Sequence, residues 1–92
     1  MLLIHDLVNI TETRPSQWKA KTVDNGSVYI RYGGGYLLVG IGKTFDEAMT
    51  KALIGDTFLS KQMDENRRSS EMETEDMLRF TGLVVIRFLG SS

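Results

Sequence analysis

The tripeptide Asp24-Asn25-Gly26, set between Trp18-Lys19-Ala20-Lys21-Thr22-Val23 and Ser27-Val28-Tyr29-Ile30-Arg31-Tyr32, constrains this chain more than any other feature. Adjacent Asn and Gly favour a tight reversal, and both flanks are rich in β-branched and aromatic residues, so the segment reads as a β-hairpin. The loop length follows from what each register does to the side chains. A two-residue Asn25-Gly26 turn sets Lys19 and Lys21 opposite Tyr32 and Ile30, which mixes charge into the best core candidates. A three-residue loop, with Gly26 left-handed in a bulge, sets Trp18, Ala20 and Thr22 with Tyr32, Ile30 and Val28. The second register is the expectation. It gives one apolar face and leaves Lys19, Lys21, Tyr29 and Arg31 together on the other.

Gly33-Gly34-Gly35 then marks a second reversal before Tyr36-Leu37-Leu38-Val39-Gly40-Ile41. If it uses two or four residues, Leu37, Val39 and Ile41 join the apolar face while Tyr36 and Leu38 join Tyr29 and Arg31; a three-residue loop exchanges the two sets. Residues 2–10 are apolar and β-branched enough for a strand, although Leu3, Leu7 and Ile10 also share a helical spacing. Strand is the expectation there. Arg14-Pro15 lies in a polar connection, because proline disfavours helix in the residue before it.

Thr44-Phe45-Asp46-Glu47 has the form of a capping box and opens a helix. Phe45, Ala48, Met49, Ala52, Leu53, Leu59 and Met63 recur at three- and four-residue steps as a sheet-facing stripe, with a kink or stop at Gly55. Ser60 to Glu73 is polar and reads as the helix end and a solvated loop. Thr74, Glu75 and Asp76 with Gly82 frame a short helix around Met77, Leu78 and Phe80. Leu83 to Leu89 reads as a well-buried last strand. The expected molecule is one α+β domain over residues 1–92, with order β-β-β-β-α-α-β and both helices on one face of an antiparallel sheet.

Composition narrows the function classes. Eleven basic and twelve acidic residues leave a net charge of −1, so no global field holds the chain on nucleic acid or an anionic membrane. The absence of cysteine excludes disulfides and thiolate zinc sites and points to the cytoplasm. The first residues lack the basic and apolar regions of a secretion signal, and no run approaches the ~18 apolar residues of a membrane span.

Three motifs invite chemistry. Gly40-Ile41-Gly42-Lys43-Thr44 ends like a phosphate-binding loop, but the glycine that pattern requires falls at Leu37. A tight turn before a capped helix explains it. The acidic stretch from Asp64 to Glu75 imitates a calcium loop, yet Arg68 stands at a ligand position and Ser69 replaces the glycine. His5 is the only histidine, which leaves no nucleophile, base and orienting group in an evident set. The expectation is a non-enzyme without metal or cofactor.

The candidate binding surface is the face carrying Lys19, Lys21, Tyr29, Arg31, Tyr36 and Leu38. Tyr and Arg are enriched at protein contact sites, so the leading expectation is an interaction module. It would bind a protein partner or itself as a homo-oligomer, in the manner of a small inhibitor, and association would offset the limited core of so short a chain. The same cations and rings also suit a nucleotide or single-stranded nucleic acid, which is the alternative.

Overall fold

The computed structural model of the chain describes residues 2–11, 14–63 and 71–86. Its elements are β1 (Leu3–Asn9), β2 (Ser16–Thr22), β3 (Ser27–Gly33), β4 (Tyr36–Gly42), α1 (Phe45–Ile54), β5 (Leu59–Gln62), α2 (Thr74–Thr81) and β6 (Val84–Val85). The strands form one sheet in the order β5-β4-β3-β2-β1-β6. The α+β class holds, but the sheet is mixed: β6 runs parallel to β1, and every other neighbouring pair is antiparallel.

The first hairpin keeps the expected three-residue loop and shifts it by one residue. Thr22 and Asn25 close the turn (Asn25 N to Thr22 O, 3.2 Å), Thr22 N donates to Gly26 O at 3.0 Å, and Asn25 rather than Gly26 is left-handed, with φ 68°. Asn tolerates that conformation better than other residues with a side chain. Gly26 serves a different need: a Cβ there would lie 2.6 Å from Thr22 Oγ1, which accepts the Gly26 amide at 2.8 Å. The Thr22 hydroxyl also donates to Asp24 and holds that carboxyl below its ordinary value. Trp18 therefore opposes Ile30 and Ala20 opposes Val28, each partner two residues earlier on β3 than expected. A shift of two preserves the face of every side chain. The second hairpin uses the two-residue Gly34-Gly35 turn, both at positive φ, and pairs Leu37 with Tyr32 and Val39 with Ile30.

The helices do not share a face. Ile4, Trp18, Ala20, Val28, Ile30, Tyr32, Leu37 and Val39 form a core that Met77 of α2 and Leu83 close from one side. Trp18 Nε1 donates to Thr74 Oγ1 at 2.9 Å, which satisfies the buried indole and fixes the start of α2. α1 lies on the opposite side, where Ala48 and Ala52 pack with Tyr29. The reason is the bare floor of β4: a Cβ on Gly40 would come 2.1 Å from Ala48 O, and one on Gly42 2.8 Å from Ala48 N. Only glycines let the helix backbone come this close.

Of the kink or stop expected at Gly55, the structure has the stop, so α1 is shorter than its apolar stripe. Gly55 ends it at φ 91°, and Leu59 and Met63 belong to β5 and its exit, not to the helix. Leu53 points outward, 56% exposed. β5 extends the sheet beyond β4, and its Lys61 ammonium stands 5.6 Å from the centre of the Phe80 ring on α2. In β6, Val84 and Val85 are each 37% exposed, so these positions are not the buried strand expected; residues 87–89 of that expectation, and 64–70 of the calcium-loop lookalike, lie outside the described residues.

β1 explains its own ambiguous spacing. Between His5, opposite Lys21, and Val8, opposite Lys19, two residues of β1 face only Ala20. This bulge flips the alternation, so Ile4 and Leu7, three apart, both turn to the Trp18 side, while Val8 stands on the side of Lys19 and Ile10 packs with Tyr29. Asp6 occupies the bulge at φ 55°.

Two substitutions test this packing. Gly40→Ala is expected to cost about 3 kcal/mol or more, since backbone cannot yield as a side chain can; a urea midpoint equal to that of the native chain would contradict the close contact. At Asp6, replacement by Gly is expected to be tolerated, and replacement by Val to be about 1–2 kcal/mol worse than Gly because of the left-handed backbone. Paired denaturation curves of the two variants measure that difference.

Candidate functional site

The strand registers bring all six candidate residues to the α1 side of the sheet. Lys19 lies opposite Tyr29, Arg31 opposite Leu38, Gly33 opposite Tyr36, and Lys21 opposite Ser27. α1 then divides them. Tyr29 is only 2% exposed, with its ring edge-on to Phe45 at 5.7 Å between centroids and its hydroxyl donating to Gln17 Oε1 at 2.7 Å. It is a core residue. Arg31, Tyr36 and Leu38 are half-buried, and a Cβ on Gly33 would meet the Arg31 guanidinium carbon at 3.2 Å, which shows the guanidinium folded over that glycine. Lys19 and Lys21 remain exposed.

Burial pushes the Tyr29 phenol above its ordinary value, and the neighbouring Arg31 charge opposes that rise. The first effect prevails because the ionised ring would lose its hydration under α1.

The part of the face left open is a groove of about 340 Å³ between α1 and the β1–β2 edge, lined by Val8, Lys19, Lys21, Ser27, Phe45 and Asp6. Val8 is 45% exposed and Phe45 half-buried; Lys19 has Val8 opposite it on one side and Tyr29, with Phe45 against it, on the other, so apolar surface flanks the lysine row. Neither lysine takes part in an ion pair among the described residues. The Asp6 carboxylate, in contrast, is engaged by His5 Nδ1 at 3.0 Å, while His5 Nε2 donates to Thr22 O at 3.1 Å. His5 thereby ties the bulge of β1 to the end of β2.

Sequence reasoning found the lysines but missed Val8, Phe45 and Asp6. The bulge that turns Val8 outward and the placement of β1 beside β2 are both long-range outcomes. Phe45 was assigned to a helix stripe on the other face. Among the described residues, no group of three or more His, Cys, Asp or Glu side chains is arranged to hold a metal ion, and no helix is long and apolar enough to cross a membrane. The Gly40 and Gly42 of the phosphate-loop lookalike are occupied by α1 packing. Thr44 Oγ1 accepts the Glu47 amide at 3.1 Å, and Glu47 Oε1 accepts the Lys43 amide at 3.3 Å, so the loop amides and hydroxyl are used in capping. Comparison with protein-family models, curated proteins and solved structures finds no match.

Tyr29 gives a pH prediction. Its folded pKa is raised, so its contribution to stability is complete below the unfolded value near 10 and is lost as pH rises through the folded value. Ultraviolet titration of Tyr29→Phe against the native chain is expected to show that the missing phenol is one that ionises above about 10. Loss of an ordinary exposed tyrosine from the curve would contradict its burial.

Proposed function

We propose that this chain is a non-catalytic interaction module that binds a protein partner through the part of the candidate face that α1 leaves open. The supporting observation is the groove itself: Val8, 45% exposed, and Phe45 stand beside two ammonium groups that form no ion pair among the described residues. Apolar area bordered by polar groups is the usual make-up of a protein contact surface. A second copy of the chain is one such partner, since association there would cover the exposed Val8. Cytoplasmic residence belongs to the same proposal, on the cysteine-free composition.

The nucleotide or single-strand alternative draws less support from this arrangement. Base stacking needs an accessible ring face, and the Tyr29 ring lies under α1. Of the rings on this face, only the half-buried Phe45 lines the groove with the two lysines.

Val8→Asp tests the module reading without disturbing the core. A partner captured by the native chain, or a concentration-dependent increase in its mass by sedimentation, is expected to weaken at least about tenfold in this variant while circular dichroism stays unchanged. Identical partners and identical mass for both chains would sink the proposal.

A further inference from the structure

Lys19 and Lys21 stand two residues apart on β2 with their side chains on the same face, a separation of about 7 Å along the strand. Both are exposed, both border the groove, and neither is paired among the described residues. Beside them lies apolar surface from Val8 and Phe45, in a groove of about 340 Å³, enough for one apolar side chain and its backbone. The one carboxylate at the rim, Asp6, is turned to His5. Two ammonium groups against one carboxylate leave the lining net positive, although the chain as a whole is −1.

We infer that this groove takes an acidic, extended peptide segment of a partner protein, with carboxylates at alternate positions reaching Lys19 and Lys21 and one apolar side chain seated between Val8 and Phe45. The inference rests on the interaction-module reading and specifies its partner. Charge complementarity selects the acid, since an extended segment repeats side chains on one face every ~7 Å, the spacing of the two ammonium groups. The apolar surface selects a peptide over a nucleic-acid strand, whose sugar-phosphate chain would set charged groups against Val8 and Phe45. Phe45 is held edge-on by the buried Tyr29, so one wall of the groove is fixed before binding.

The test uses the native chain and four fluorescent probes at low salt: a Glu-Ser-Glu-Ser-Leu-Ser peptide, its Gln-for-Glu and Lys-for-Glu counterparts, and a short oligothymidylate. The acidic peptide is expected to bind, to weaken as salt rises, and to lose about tenfold or more in affinity in the Lys19→Ala, Lys21→Ala double variant and in Val8→Asp. Both lysines and Val8 are exposed, and circular dichroism verifies that the variants are folded. If the Gln peptide binds as well as the acidic one and is lost in Val8→Asp, the acidic preference is overturned while the module reading stands. Tighter binding of oligothymidylate, lost with the lysines, overturns both. If no probe binds, the acidic-peptide inference fails, and partner capture with Val8→Asp decides the module reading separately.

Discussion

The contact between α1 and the glycine floor of β4 governs the rest of the molecule. Helices packed on sheets normally stand off by the length of the side chains between them, but here Ala48 rests on strand positions with no side chain at all. That approach draws the helix down far enough for Phe45 to meet the ring of Tyr29 and for Ala52 to close over it. It also leaves the opposite face to α2 and the Trp18 core. The sheet is consequently covered on both sides, and the part of the α1 face left exposed is the margin beside the helix.

The hairpins were legible in the sequence because strand alternation has a period of two. Placing Trp18 opposite Tyr32 instead of Ile30 was an error of two residues, and such an error leaves every side chain on its own face. The partition of Trp18, Ala20, Val28 and Ile30 from Lys19, Lys21, Tyr29 and Arg31 was therefore readable even though the exact partners were not, whereas the faces of Leu37 and Leu38 hung on the length of the glycine turn, which uses two residues. Helix placement was harder. A stripe of Phe45, Ala48, Met49 and Ala52 states that α1 has an apolar face but not which side of a sheet it meets. A signal did exist: Gly40 and Gly42 alternate on the Tyr29 side, and the stripe facing them is built on Ala48 and Ala52. Small residues on both partners mark a close approach.

The ends of the sheet were less legible for a different reason. Ile4 and Leu7 share a face only because Asp6 takes a left-handed conformation inside a bulge, and a three-residue spacing reads equally as helix. Strand β5 was hidden because its Ser60-Lys61-Gln62 is polar. As an edge strand it presents short, exposed, charged sequence, which discourages further pairing but erases the apolar alternation that would announce it. Val84 pairs with Leu3 in parallel, a long-range choice that local sequence does not encode.

Burying Tyr29 changes what the candidate face offers. An exposed tyrosine is the kind of residue that dominates a contact surface, so its placement in the core removes one anchor, but the same ring supports Phe45 from behind. A groove wall held by a packed aromatic pair loses little freedom when a ligand arrives, whereas a lone surface ring must be ordered at the moment of binding. The lysines supply the opposite property, long side chains with many rotamers on a fixed strand, able to follow the charges of the proposed partner. Apolar wall and adaptable cations meet where β2 runs out beside α1, which covers β3 and β4, and that location follows from the two glycines of β4.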